Sequence, residues 1–239
     1  ILFKKEASKI NYSDCFAHSV DFADGTSIQA DYIVITTDPK ITFGKLLDLE
    51  FPKQLTSIYN NKHLIRFSSY QCAFACQTDT LPFKGDFIFE IPKDAQEKLH
   101  TKHLILREFS HEKEFSPPGE NIIQALVFCS EKASYEFISL KENPTEYAKA
   151  KNEISAIISS LIIQRFPQLK SKIKCIDVWT PATYKRYVNS EIGSYMSFAL
   201  PPRFLPIRLS NKIKGLKNVF LATQWQQAPG GLPIAAKGG

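Results

Sequence analysis

Gly215-Leu216-Lys217-Asn218-Val219-Phe220-Leu221-Ala222-Thr223-Gln224-Trp225, followed closely by Pro229-Gly230-Gly231-Leu232-Pro233, is the stretch whose reading decides the fold. Asn218 to Ala222 is an apolar strand, the glycine pair turns the chain, and Pro233 suits a first helical turn, whose N–H groups have no partner inside the helix. Such an end is an electropositive socket. Its backbone donors and the helix dipole favour a phosphate or the negative edge of a planar ring. Gly230 and Gly231 place no side chain between the backbone and such a ring. The same residues are equally compatible with a tight turn between a strand and a packed helix.

Working outward, the N-terminal part reads as a hairpin. An apolar strand runs through Val20 and Phe22, Asp24-Gly25 makes the turn, and Ile28 leads into Tyr32-Ile33-Val34-Ile35. Asp-Gly between apolar runs is a strong hairpin signal. The continuous run Tyr32 to Ile35 is the pattern of a strand buried on both faces, and Asp38-Pro39 ends it. Short helical patterns follow at 40–48 and 52–62. From His63 to Cys129 the chain is rich in β-branched and aromatic residues, with strands expected at 63–77, 86–91, 103–109 and 121–129 in an antiparallel meander.

The clearest helix starts at Asn143 as N-cap, with Pro144 in the first turn and Glu146 placed for a capping box. Tyr147, Ala150, Ile154, Ile157, Ile158, Leu161 and Ile162 form its apolar stripe, which must pack on the meander; Phe166-Pro167 ends it. A strand at 173–179 and an irregular segment connect it to the C-terminal strand. The fold class is therefore α+β, a mixed, largely antiparallel sheet covered by helices, with further strands from both chain ends.

Thirty Lys and Arg face 24 Asp and Glu, a net charge of +6 scattered along 239 residues. Scatter of this kind argues against nucleic acid as a partner, while leaving peripheral contact with an anionic membrane surface open. The longest uncharged helical stretch, 154–164, is far short of the roughly 20 residues that cross a bilayer. The first residues lack the pattern of a secretory signal. Five irregularly spaced cysteines do not form a disulfide framework, which points to a cytoplasmic setting. Cys72 and Cys76 share a strand face and read as buried thiols in preference to metal ligands. His18, His63, His100, His103 and His111 sit singly or in polar turns, so no metal and no acid–base pair is assigned to them, and the catalytic residues stay unassigned.

The segment 215–233 resembles the C-terminal flavin motif of the phytoene dehydrogenase and carotenoid isomerase group of FAD-dependent oxidoreductases, within the flavin amine oxidase superfamily. Two further segments are similar to the same group in the same order: Val20 to Gly25 with Ala30 to Val34, and Thr180-Pro181-Ala182-Thr183 with Tyr187 and Gly193. The resemblance implies that residues 1–39 and 206–239 belong to the FAD-binding domain and 40–205 to the substrate domain. It implies FAD as cofactor, with Gln224 and Trp225 beside the ribityl chain and ring, and Gly230, Gly231, Leu232 and Pro233 cradling the ring edge. Thr223 stands where glycine is usual. The G-x-G-x-x-G turn of the dinucleotide fold does not occur among the ten glycines, so the chain reads as a C-terminal fragment whose N-terminal dinucleotide-binding segment is a missing partner.

The function so implied is hydride transfer between flavin and an apolar polyene or isoprenoid-like small molecule, in a tunnel beneath the meander. Lys185 and Arg186 stand near its exit. Two alternatives remain at this point: an isolated substrate-binding or interaction module without activity, and a flavin amine oxidase relative acting on an amine.

Overall fold

The computed structural model describes residues 1–61, 64–200 and 208–238. His63, the domain boundary expected at 205/206 and Gly239 lie outside the described residues. In chain order the strands are β1 (Ala7–Ser13), β2 (Phe16–Phe22), β3 (Ser27–Gln29), β4 (Ile33–Ile35), β5 (Ile65–Gln77), β6 (Asp86–Glu90), β7 (His103–Glu108), β8 (Glu120–Ser130), β9 (Ile173–Trp179), β10 (Phe198–Ala199) and β11 (Val219–Leu221). The α-helices are α1 (Pro39–Ile41), α2 (Lys53–Tyr59), α3 (Lys93–Leu99), α4 (Glu131–Leu140), α5 (Pro144–Arg165), α6 (Pro181–Val188) and α7 (Leu232–Gly238). The class is α+β. Among the described residues no helix is long and apolar enough to cross a membrane.

The chain divides into two compact units. One comprises Ile1–Arg66, Val188–Glu191 and Met196–Gly239, the other Phe67–Tyr187 and Ile192–Tyr195. The first unit thus runs on to Arg66, past the segment 1–39 expected for the FAD-binding domain. The cause is packing: Phe43, Leu46, Leu47, Leu55 and Ile58, from the segment after β4, bury themselves with Ile33, Ile35, Val219 and Leu221 in one cluster.

In this first unit β1, β2 and β3 form an antiparallel sheet, and Val20 pairs Ile28 across the Asp24-Gly25 turn. Gly25 has φ +83°, where only glycine sits without strain. Strands β4 and β11 pair in parallel, Ile33 with Val219 and Leu221 with Ile35. The expectation that β4 is buried on both faces is corrected: Ile33 and Ile35 are buried, but Val34 is 60% exposed and Tyr32 71%. Only one face of this pair is covered by the cluster above.

Asn218, at the entry to β11 and buried, ties three segments together. Its Oδ1 accepts the Ala17 N–H at 2.8 Å, and its Nδ2 donates to the carbonyls of Ala17 and Asp31, both at 2.7 Å. Backbone groups that the short β4–β11 ladder does not reach are satisfied by this one side chain.

The second unit is built on an antiparallel sheet in the order β9-β5-β8-β7-β6. The meander is β6-β7-β8; β5 pairs β8 and stands between it and β9. Period-2 alternation sets one face toward the helices: Cys72, Phe74, Leu104, Leu106, Ile123, Ala125 and Val127 are all fully buried. Helix α5 packs there as its stripe requires, through Ile154, Ile158, Leu161 and Ile162, and Asn143 caps it by accepting the Glu146 N–H at 3.3 Å. Burying each such aliphatic side chain stabilises the fold by about 1.5–3 kcal/mol. Cys72 and Cys76 lie in this core, where burial pushes their thiols up, that of Cys76 to about 11.

Glu108 is a carboxylate on this covered face, at 2% exposure. Burial pushes its acid up, but the N–H groups of Gly85 (2.8 Å) and Ser110 (2.6 Å) and the Asn121 amide (3.2 Å) outweigh it and bring it to about 2. A carboxylate lowered on folding stabilises the folded state above its unfolded pKa, and that contribution is lost as the pH falls toward the folded value. Its share of the stability is therefore complete above about pH 4.5 and disappears toward pH 2. In Glu108→Gln the unfolding free energy, measured by urea titration, is expected to be lower at pH 7 and to fall less than wild type between pH 5 and pH 2.5.

Candidate functional site

Beyond β11 the Ala222 N–H still reaches the Ile35 carbonyl at 2.9 Å, and the chain then turns through a single 3-10 turn, Gln224–Gln226. Thr223 caps it. Its Oγ1 accepts the Trp225 N–H at 3.5 Å, while Gln226 Oε1 accepts the Thr223 N–H at 3.4 Å. The hydroxyl of Thr223 is thus turned into the cap, and the residue is buried.

The six residues assigned to the cofactor from sequence fall into three settings. Gln224 and Gly231 meet each other: Gln224 Oε1 accepts the Gly231 N–H at 3.1 Å, so one of the donors expected to face an anion is held by a side chain. Gly230 and Gly231 both have positive φ, +88° and +81°. A Cβ on Gly230 would stand 2.8 Å from the Ser197 N and Oγ and 2.9 Å from the Gln224 carbonyl, so close packing on Ser197 already demands glycine there. Ser197 in turn donates its N–H to the Pro229 carbonyl at 3.1 Å.

Gly231 is roomier. A Cβ there would meet only the mobile end of Met196, at 3.0 Å, and Pro233 Cδ at 3.8 Å. Leu232 and Pro233 open α7 and point outward, Leu232 at 86% exposure.

Trp225 lies apart from these, 4% exposed and stacked on Tyr59 with ring centroids 6.2 Å apart and planes at 21°. Tyr59 lies between two cations, Lys40 Nζ at 5.2 Å and the Arg66 guanidinium at 5.6 Å from its ring. Glu191 holds both, at 2.5 Å to Lys40 and 3.0 Å to Arg66. The Tyr59 hydroxyl donates to Asp38 Oδ1 at 3.4 Å, and the same oxygen accepts the Lys40 N–H at 2.9 Å. Burial pushes the Asp38 acid above the usual carboxylate range against the backbone N–H groups of Lys40 and Glu191. Burial and the two carboxylates push the Tyr59 phenol up, so it acts as a donor and a stacking surface and not as a base.

Asp38 and Tyr59 were not singled out in the sequence. Asp38-Pro39 was read as the end of a strand, yet Asp followed by Pro is equally an N-cap with Pro at the first helical position, and that is what it forms. Tyr59 leaves no local signal, since its partners are remote in sequence. Lys185 and Arg186 lie on α6, with the Arg186 guanidinium 5.4 Å from the Tyr187 ring. Among the described residues no group of three or more His, Cys, Asp or Glu side chains could hold a metal.

No family model matches the chain. It is similar to a chloroplastic prolycopene isomerase from Daucus carota, 27% identical over 201 residues, which is 82% of this chain and 32% of the relative. A chloroplastic prolycopene isomerase 2 from an Oncidium hybrid cultivar is 25% identical over 199 residues, 82% of this chain and 33% of the relative. The chain spans about a third of the length of the curated relatives it matches. An oxidoreductase from Methanosarcina mazei shares the fold, with a TM-score of 0.54 and 12% identity over 97% of this chain and 46% of that one. With the ordered motifs at 20–34, 180–193 and 215–233, the chain resembles the carotenoid isomerase-like flavin oxidoreductases in sequence, and it shares its fold with a solved oxidoreductase.

Proposed function

We propose that this chain supplies the substrate domain and the C-terminal flavin-contacting turn of an FAD-dependent oxidoreductase acting on an apolar polyene or similar isoprenoid-like molecule. The observation that carries the reading is the turn itself: Gly231 at φ +81°, where a Cβ would meet no backbone but the flexible end of Met196 at 3.0 Å, flanked by Leu232 at 86% exposure. A flat ring can approach such a backbone, and the residues fit the edge of a flavin. When bound, FAD supplies the hydride chemistry.

This chain's residues hold and orient. Gln224 fixes the turn through the Gly231 N–H, and the next residue, Trp225, packs on Tyr59. Gly230, Gly231, Leu232 and Pro233 form the surface against the ring edge, and the first-turn N–H of Leu232 belongs to a class of donor without an intrahelical acceptor. On this reading residues 1–39 and the C-terminal segment from 208 belong to the flavin domain, with 40–66 packed against them in the same unit, and the five-stranded sheet belongs to the substrate domain.

Leu232→Asp tests it. The side chain is exposed, so the fold loses within about 0.5 kcal/mol, while a carboxylate is set against the electron-rich ring edge. In the protein containing this chain, FAD affinity is expected to fall about tenfold or more at an unchanged unfolding midpoint, read by flavin fluorescence titration. Unchanged affinity in the variant would remove the turn from the cofactor site, and a wild-type protein that takes up no FAD would leave a binding module without catalysis.

A further inference from the structure

In the first unit Trp225, Tyr59 and Asp38 stand in a row. The indole and phenol rings are stacked with centroids 6.2 Å apart and planes at 21°, and the Tyr59 hydroxyl reaches Asp38 Oδ1 at 3.4 Å. Indole and phenol are among the side-chain groups most readily oxidised by one electron, and stacked rings at this separation exchange an electron without a bridging group. Trp225 is buried and Tyr59 half-buried, so the row leads outward from the interior beside Gln224.

The charges around Tyr59 decide what it can do. Lys40 Nζ lies 5.2 Å and the Arg66 guanidinium 5.6 Å from its ring. A ring between two cations resists a third positive charge, so Tyr59 gives up an electron only as its phenolic proton leaves. Two carboxyl groups stand near enough to matter. Burial pushes the acid of Glu191 up, but its bonds to Lys40 and Arg66 outweigh burial and hold it below the usual range. Asp38 is the opposite case: burial leaves its acid above the usual range, and its Oδ1 already faces the phenol. The carboxylate that holds a proton more tightly is the better acceptor. Asp38 also caps α1 by accepting the Lys40 N–H at 2.9 Å, which fixes that oxygen in place.

We propose that Trp225, Tyr59 and Asp38 form a one-electron relay that draws oxidising equivalents out of the interior and delivers them to Tyr59, where a small-molecule reductant quenches them. A one-electron oxidant of the radical class takes an electron from Trp225 and leaves an indole cation radical. Tyr59 passes an electron to the indole as its hydroxyl proton moves to Asp38 Oδ1. The indole is restored, Tyr59 is a neutral phenoxyl radical and Asp38 a carboxylic acid. A thiolate or ascorbate-type anion then supplies one electron, Asp38 gives the proton back, and phenol and carboxylate are as they began. The relay needs no flavin in place, so it stands or falls apart from the cofactor reading.

Laser flash photolysis of the protein containing this chain tests it, in a Trp179→Phe background that leaves Trp225 as the one indole of the chain. An ultraviolet flash ejects an electron from the indole, and the absorbance bands of the indole and phenoxyl radicals are followed in time. The signal lost in Trp225→Phe belongs to this indole. The phenoxyl band is expected to rise as the indole band decays, at a rate independent of protein concentration. Tyr59→Phe keeps the stacked ring and is expected to abolish the rise. Asp38→Asn keeps a good N-cap but accepts no proton, and is expected to slow the rise on the order of a hundredfold, the low end for a positioned proton acceptor. Should Tyr59→Phe not fold, heavy water carries the test with Asp38→Asn, because it slows a coupled proton transfer and leaves plain electron transfer unchanged. A phenoxyl rise that persists in Tyr59→Phe, an unchanged rate in Asp38→Asn, or an indole radical that decays with no phenoxyl rise overturns the proposal.

Discussion

Gly193→Ala is expected to destabilise the second unit by about 3 kcal/mol or more, a fall in the unfolding midpoint on the order of 10 °C. Gly193 has φ +59°, in the left-handed region, and a Cβ there would overlap the Pro181 carbonyl oxygen and stand 2.7 Å from the Pro181 carbonyl carbon. These are backbone atoms at the start of α6 and cannot swing aside. Retreat of Gly193 is blocked as well, because its carbonyl accepts a hydrogen bond from the buried Ser68 hydroxyl. Thermal unfolding followed by circular dichroism measures the loss; a midpoint within a degree or two of wild type would show that α6 accommodates the methyl group.

Asn218→Asp is expected to cost the first unit about 3–5 kcal/mol at pH 7, more than Asn218→Ala. The alanine leaves the Ala17 N–H and the carbonyls of Ala17 and Asp31 without their partner. The aspartate keeps an acceptor for the N–H but sets a carboxylate oxygen against two carbonyl oxygens that now receive a donor at 2.7 Å. Protonation restores one donor. The introduced carboxyl therefore has its folded pKa raised above the unfolded value, and its penalty shrinks as the pH falls below that raised pKa. Urea unfolding at pH 7 and pH 5 measures this; a deficit that grows on acidification relative to the alanine variant would contradict the assigned orientation of the amide.

The features legible in the sequence are those whose cause is local. Asp24-Gly25 specifies its hairpin because the turn geometry needs glycine, and Asn143-Pro144 specifies the start of α5 because cap and first turn are adjacent residues. Helices α3, α4 and α6 leave little trace in the sequence. Each buries only two or three side chains, Ala95 and Leu99 in α3, so their apolar period is too short to stand out, although the Ser130 cap, accepting the Ala133 N–H at 3.3 Å, marks the start of α4. Strand β1 was missed because Lys9, Asn11 and Ser13 dilute its pattern, and only Ile10 is fully buried. At the glycine turn the residues were named from the sequence, but their relations were not. The Gln224–Gly231 bond joins a side chain to a backbone group across seven positions, and the demand for glycine at 230 comes from Ser197, remote in sequence.

The central proposal is that the turn from Gln224 to Pro233 holds the edge of a flavin in an FAD-dependent oxidoreductase. The most direct measurement is the flavin content of the protein expressed from the whole coding region that contains this chain, read by visible absorbance after purification and after release of the cofactor by denaturation. The account predicts FAD bound in about equal amount to protein. A colourless protein that takes up no added FAD would contradict it.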